Sequence, residues 1–196
     1  SLAPAYLKAA KKRGAYVIAH SHATKSDRAL ENFVFNVFAY RVRYIADYFF
    51  ACSNQAGIDR FGKKVVNSNR FEVINNAIDS GKYKYTLERH SELKRKYRLE
   101  DKLVIGHVGR FAPEKNHKFI VDVFDEIYRQ EKTAVLMLAG RGSEEETIKN
   151  YVSEKNLDEH VVFLGVRKDI PDLMNLFDVF LFPSTYEGLG IVGIEA

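Results

Sequence analysis

The sequence predicts an α/β protein with parallel sheets, built as two successive series of strand and helix. Three observations predict it. Short apolar runs recur along all 196 residues, at 16–19, 48–52, 71–74, 103–108, 134–139, 161–164 and 179–182. Helical patterns fill most of the intervals between them, as crossovers between parallel strands require. A polar turn from Asn75 to Ser80 separates the first strands from the rest, which places a junction between domains 1–78 and 79–196.

The first series opens with a strand over 16–19 that ends at His20, Ser21 and His22. Residues 28–46 read as a long helix rich in Phe and Tyr. Residues 48–52 form a buried strand, and Ser53 then caps a short helix that Gly62 closes. A strand over 71–74 precedes the turn at Asn75 and Asn76. The second series starts with a charged helix over 86–98, followed by a strand over 103–108 and a helix over 116–129. A strand over 134–139 leads to a helix beginning at Ser143. A strand over 161–164, a short helix over 171–176 and a last strand over 179–182 complete the pattern.

Composition excludes several classes. An apolar fraction of 46% with 29% charged residues is that of an ordinary globular protein. A net charge of +4 is too small to indicate nucleic-acid binding, and no nucleic-acid partner is expected. Basic residues do cluster at Lys8, Lys11, Lys12 and Arg13, and again at Lys94, Arg95 and Lys96. Solvated helix faces account for them, and an anionic membrane surface or acidic ligand is the other reading. Cys52 is the single cysteine, so no disulfide framework or cysteine metal site is expected, which suits the cytoplasm. No apolar run reaches transmembrane length, and residues 1–13 lack the layout of a signal peptide. With no initiating methionine and an end at Ala196 inside a helical pattern, the chain reads as an excerpt of a longer protein.

The residues that carry chemistry gather at strand ends, where open α/β sheets bind ligands. After 103–108 come Gly109, Arg110 and Lys115, two cations five residues apart that suit a diphosphate clamp. After 134–139 come Gly140, Arg141 and Gly142, a glycine turn able to meet a ligand through its backbone. After 161–164, Gly165 and Val166 lead to Arg167, which could touch a base or face solvent. The last strand runs into Pro183, Ser184, Thr185, Tyr186, Glu187, Gly188, Leu189, Gly190 and Ile191, with Glu195 eight positions after Glu187. A glycine-rich entry to a helix offers N–H groups to an anion, and the two carboxylates can take hydroxyls of whatever bears it. That is the layout of a nucleotide-sugar site. No Asp-x-Asp triplet occurs, so no metal is expected, and cations with helix dipoles must carry the phosphate charge. His20 and His22 lack an evident third metal ligand beyond Asp27, which leaves a hydrogen-bonding histidine at a cleft edge or a structural His20.

Taken in order, the segments at 109–116, 139–142, 163–165 and 183–195 resemble the retaining glycosyltransferases of family 4. The resemblance extends upstream through Asn76, Ala77, Ile78 and Asp79, where Ala77 replaces the family's usual glycine, and to the strand end at His20–His22. It implies the GT-B fold of two Rossmann-like domains, both incomplete in this chain, with the acceptor domain first and the donor domain second. It also implies roles for individual residues. Arg110 and Lys115 would hold the donor diphosphate, Glu187 the hydroxyls of the transferred sugar, and Glu195 those of the ribose. The backbone of Gly188, Leu189, Gly190 and Ile191 would contact phosphate or sugar, and His22 would be the cleft histidine. Gly109, Gly140, Gly165 and Val166 would complete the donor site.

The implied activity is metal-independent transfer of a hexose from a nucleotide-sugar, UDP-linked by preference, with no further cofactor. The implied acceptor is a saccharide or a lipid-linked saccharide, in surface polysaccharide or glycolipid assembly. Peripheral attachment to the inner face of the cell membrane is compatible with the basic clusters. The alternatives are a GT-B-fold sugar-nucleotide epimerase or phosphorylase, which product analysis separates, and a non-catalytic nucleotide-sugar-binding protein, against which the intact charged set argues.

Overall fold

A computed structural model describes residues 3–21, 41–187 and 190–196. The chain divides into two compact units, Ser1–Ala77 and Ile78–Ala196. Of the helix expected over 28–46, residues 28–40 lie outside the described residues, as do His22, Asp27, Gly188 and Leu189, and 42–45 are helical.

The first unit contains α1 (Ala3–Lys12), β1 (Ile18–Ser21), α2 (Val42–Ile45), β2 (Tyr48–Ala51), α3 (Asn54–Phe61), α4 (Lys63–Val66) and β3 (Phe71–Val73). Its sheet is parallel, in the order β1-β2-β3. Phe49, at the centre of the sheet, packs against Phe61 with ring centroids 5.0 Å apart. Val17, Ala19, Val42, Ala46 and Val65 close the core around them. Asp47 ties the layers together: one carboxylate oxygen accepts from Lys11 at 2.8 Å, the other from the Val17 N–H at 2.9 Å. The Lys11 hydrogen bond, then that of Val17, holds this carboxyl below its ordinary range.

Two details differ from expectation. The first strand lies two residues further on than the apolar run at 16–19, because pairing with β2 sets the register at Ile18 opposite Tyr48. Tyr16 is left exposed. Beyond Gly62, at φ +83°, the chain does not stop but re-enters helix as α4. Ser53 caps α3 as expected, accepting from the Ala56 N–H at 3.1 Å.

The second unit contains α5 (Leu87–Tyr97), β4 (Val104–Val108), a 3₁₀ turn (Pro113–Lys115), α6 (His117–Gln130) and β5 (Val135–Ala139). It continues with α7 (Glu145–Glu154), a second 3₁₀ turn (Asp158–His160), β6 (Val161–Gly165), α8 (Ile170–Leu176), β7 (Val179–Phe180) and α9 (Ile191–Glu195). All four strands are parallel, in the order β6-β5-β4-β7. Alternation along the strands builds two cores. Ile105, Leu136 and Leu138 meet Ile120, Val121, Phe124, Ile148 and Val152 from α6 and α7. Val104, Met137 and Ala139 meet Leu93 from α5 and Leu173, Met174 and Leu176 from α8. Gly106 allows Phe177 to lie on the sheet, since a Cβ there would sit 2.1 Å from its ring.

The helix α5 is anchored by a buried lysine. Lys94 Nζ donates to Asp178 and to the Lys102 carbonyl, each at 2.5 Å, while Asp178 also accepts from the Val104 N–H at 2.6 Å. Its N-terminus is capped by Thr86, which accepts from the Arg89 N–H at 3.2 Å. Thr86→Ala is expected to lower the unfolding free energy by about 1 kcal/mol, read as a shift in the urea midpoint.

The strand order places the site. The chain steps outward from β4 to β5 to β6 and then returns to the other side of β4 for β7. Between the carboxyl ends of β4 and β7 the loops part in opposite directions, which is the topological switch point where such sheets bind ligands.

Candidate functional site

The loop after β4 and the loop after β7 face each other at this switch point. Gly109 leaves the sheet still paired, its N–H donating to the Ala139 carbonyl at 2.9 Å. Arg110 then projects outward, its side chain 70% exposed, and donates to Glu114 at 2.7 Å. Phe111 turns inward and is buried. Pro113 opens the 3₁₀ turn that ends at Lys115. Lys115 Nζ donates to the carboxylate of Glu187, delivered by the loop after β7. Both side chains of this pair are largely buried, and the ammonium lies 5.7 Å from the centre of the Phe182 ring. Backbone fastens the same two loops: the Thr185 N–H donates to the Glu114 carbonyl at 2.9 Å.

Beneath the pair lie two buried histidines. His107 Nδ1 donates to the Leu181 carbonyl at 2.8 Å, joining β4 to the loop that carries Glu187. This fixes its tautomer and leaves Nε2 as an acceptor without a hydrogen-bond partner among the described residues. His117, at the start of α6, meets His107 edge-on at 4.8 Å and stacks on Phe111 at 4.1 Å. Neither of its ring nitrogens has a hydrogen-bond partner among the described residues. Burial pushes its imidazole down to about 3, and the neighbouring His107 and Lys115 add to the effect. Burial lowers His107 too, against the opposing hydrogen bond to Leu181. Both rings are neutral beneath a cation.

The loops after β5 and β6 interlock with the first. Gly140 has φ +142°, and its N–H donates to the Gly165 carbonyl at 2.8 Å. A Cβ on Gly140 would fall 1.9 Å from the Gly109 carbonyl oxygen, and one on Gly142 2.1 Å from that of Phe111. The three loops are therefore in backbone contact. Gly140→Ala is expected to destabilise the second unit by roughly 1–3 kcal/mol, as overpacking does, measured by urea denaturation beside the parent chain. Gly165 has φ +64°, and Val166 beyond it is exposed.

Several sequence expectations fall elsewhere. Arg167, weighed as a base contact, is instead turned to Asp169, with bonds of 2.8 and 2.5 Å, and to the Tyr97 hydroxyl at 3.1 Å. The last strand pairs only over Val179–Phe180, because the Leu181 carbonyl is taken by His107 and Pro183 follows. The helix expected from Ser143 begins at Glu145. α9 starts at Ile191, after Gly190 at φ +57°. The hydroxyl of Tyr83 is pushed up chiefly by burial and then by the carboxylate of Glu195. His20, in the first unit, is exposed and stands edge-on to Phe50 at 6.0 Å.

Sequence reasoning missed Glu114, the two histidines and Tyr83. The spacing of Glu114, four residues after Arg110, was the available signal for the first. Nothing linear marked the others.

The model of the family described as glycosyl transferases group 1 matches residues 89–196. The chain belongs to the group 1 glycosyl transferases. Among curated relatives of this glycosyl transferase is EpsF of Bacillus subtilis (strain 168), which carries a glycosyltransferase name. It is 35% identical over 147 residues, 74% of this chain and 38% of EpsF. The UDP-Gal:alpha-D-GlcNAc-diphosphoundecaprenol alpha-1,3-galactosyltransferase of Escherichia coli is 29% identical over 136 residues, 67% of this chain and 35% of its own. Among solved structures, Anabaena Alr3699/HepE in complex with UDP and glucose superposes with a TM-score of 0.80 at 24% identity, over 97% of this chain and 53% of that one. WaaG, involved in lipopolysaccharide biosynthesis, gives 0.68 at 18% identity, over 96% of this chain and 58% of that one. The fold is the GT-B type, with Rossmann-like parallel sheets. The chain spans 38% and 35% of these two curated relatives and just over half of the solved chains.

Proposed function

We propose that the protein is a retaining, metal-independent glycosyltransferase of family 4. It moves a sugar from a UDP-linked donor to a saccharide or lipid-linked acceptor, in surface polysaccharide or glycolipid synthesis. One observation carries the reading: Lys115 and Glu187, 72 residues apart in sequence, are brought together at the switch point of the second sheet. A cation and a carboxylate side by side match a donor with two demands, a diphosphate and a sugar rich in hydroxyls.

In this reading residues 79–196 are the donor domain and residues 1–78 belong to the acceptor domain. Arg110 and Lys115 hold the diphosphate. Glu187, released from Lys115 as the diphosphate arrives, takes the sugar hydroxyls. Glu195 binds the ribose. Gly109, Gly140, Gly165, Val166 and the backbone of 188–191 line the rest of the donor, and His22 stands by the acceptor. The sugar is attacked on the face the diphosphate leaves, and a departing oxygen takes the acceptor's proton. The protein's part is electrostatic: fixed cations stabilise the leaving group without reorganising.

A UDP donor is supported by the UDP bound in Alr3699/HepE and by the name of the E. coli relative. The exposed basic residues Lys8, Lys12, Arg13, Arg95 and Lys96, without the buried Lys94, support an acceptor at the inner membrane face, reached by peripheral attachment from the cytoplasm.

The test is titration of the chain with UDP, GDP and ADP beside the double variant Arg110→Ala/Lys115→Ala. Saturable binding of UDP by the parent alone is the expected result. Binding that survives in the double variant would remove the diphosphate clamp from the reading. Proton NMR of the product made by the full-length enzyme then reads the anomeric configuration, and inversion would overturn retention.

A further inference from the structure

The cations at the carboxyl edge of the second sheet differ in one respect. Arg110 is paired with Glu114, Lys115 with Glu187 and Arg167 with Asp169. Arg141 makes no ion pair among the described residues. Its backbone is nonetheless among the most tightly held of the site. It lies between Gly140 and Gly142, neither of which has room for a Cβ, and its carbonyl accepts from the Phe111 N–H at 3.1 Å. From this anchored position the exposed guanidinium reaches the end of the next strand. Its Nε and Nη2 lie 3.8 and 4.0 Å from where a Cβ of Gly165 would be.

We propose that Arg141 is the residue that contacts the base of the nucleotide, stacking its guanidinium plane on the ring. The proposal rests on the donor-site reading above and deepens it. With the diphosphate at Arg110 and Lys115 after β4, a nucleotide lying along the strand ends carries its base toward the ends of β5 and β6. The β6 end is two strand spacings from β4, about 10 Å. Arg141 and Gly165 are what the chain presents there, with exposed Val166 beside them. Gly165, with no side chain, leaves room beside the guanidinium of the exposed Arg141. A guanidinium stacks on aromatic planes, and all its N–H groups are donors. Arg167, the arginine after β6, is held by Asp169 and Tyr97.

The experiment is calorimetric titration of the parent chain, Arg141→Ala and Arg141→Lys with UDP, with inorganic pyrophosphate as a competitor and circular dichroism as the folding control. Loss of a base stack should weaken UDP by about tenfold or more. Pyrophosphate should be held as before, and Arg141→Lys, which keeps charge but not the plane, should not recover UDP affinity. Parent-like UDP affinity in Arg141→Ala would overturn the proposal, as would full recovery by lysine or an equal loss of pyrophosphate. Those outcomes leave the donor site standing. A folded parent chain that binds neither UDP nor pyrophosphate would instead bring down the donor site, and Arg141 with it.

Discussion

Lys115→Ala is expected to cut turnover of the full-length enzyme by about 10²–10³-fold, equivalent to roughly 2.7–4 kcal/mol in the barrier, as loss of one preorganised oxyanion donor does. Two features set this size. The ammonium is largely shielded from solvent, where its field on a leaving diphosphate is strong, and Glu187 with the Phe182 ring fixes its position in advance. Arg110→Ala should act in the same direction, because its exposed fork is the other cation of the loop. Folding should be little affected. Lys115 closes a surface turn, and the cores on either side of the sheet are built from other residues. The measurement is steady-state transfer together with thermal unfolding of each variant. Unchanged turnover in both would sink the assignment of the diphosphate clamp.

The second large effect is on stability in mild acid. His117 is pushed down to about 3 from an ordinary 6.5, so the folded protein keeps it neutral while the unfolded chain protonates it. The sign follows from linkage. Below pH 6.5 the unfolded state binds the extra proton, so stability falls as pH falls, until the folded-state value near 3 is passed. Each unit of difference is worth 1.36 kcal/mol, so the full loss is on the order of several kcal/mol. His107, lowered for the same reason of burial, adds to it. Asp122 and Asp169, whose carboxyls lie below their ordinary value of 3.8, contribute to acid loss only at lower pH. Glu114 and Glu131, lowered from 4.5, join in before the aspartates, so urea midpoints between pH 7 and about pH 5.5 isolate the histidines. His117→Phe, which retains a ring against Phe111, should flatten that slope. An undiminished slope would place the acid sensitivity elsewhere.

The second sheet was legible because its strands are covered on both faces. Val104–Val108 and Val135–Ala139 are almost continuous apolar runs, and glycines mark where each leaves the sheet. The place of Arg110 and Lys115 beside the sheet was legible for the same reason, since a strand end followed by glycine and cations announces itself in linear order. What was hidden depends on contacts between distant segments. The register of β1 is decided by β2, against the local propensity of Tyr16 and Val17. Arg167 next to a strand end looks like a ligand contact until Asp169, two residues on, takes its fork. His107 and His117 read as unremarkable polar positions in a strand and at a helix start. Only the packing of Phe111 and Phe180 around them makes them a buried pair.

The fastening of the loops after β4 and β7 bears on how this domain can be recombined. Thr185 to the Glu114 carbonyl, Lys115 to Glu187 and His107 to the Leu181 carbonyl are three stitches between segments more than 70 residues apart. Two of the three acceptors are main-chain oxygens, so they record backbone position rather than residue identity. A chimera that imports one segment from a relative and retains the other would inherit mismatched halves of a single seam. Grafts that exchange both segments together should keep the seam closed.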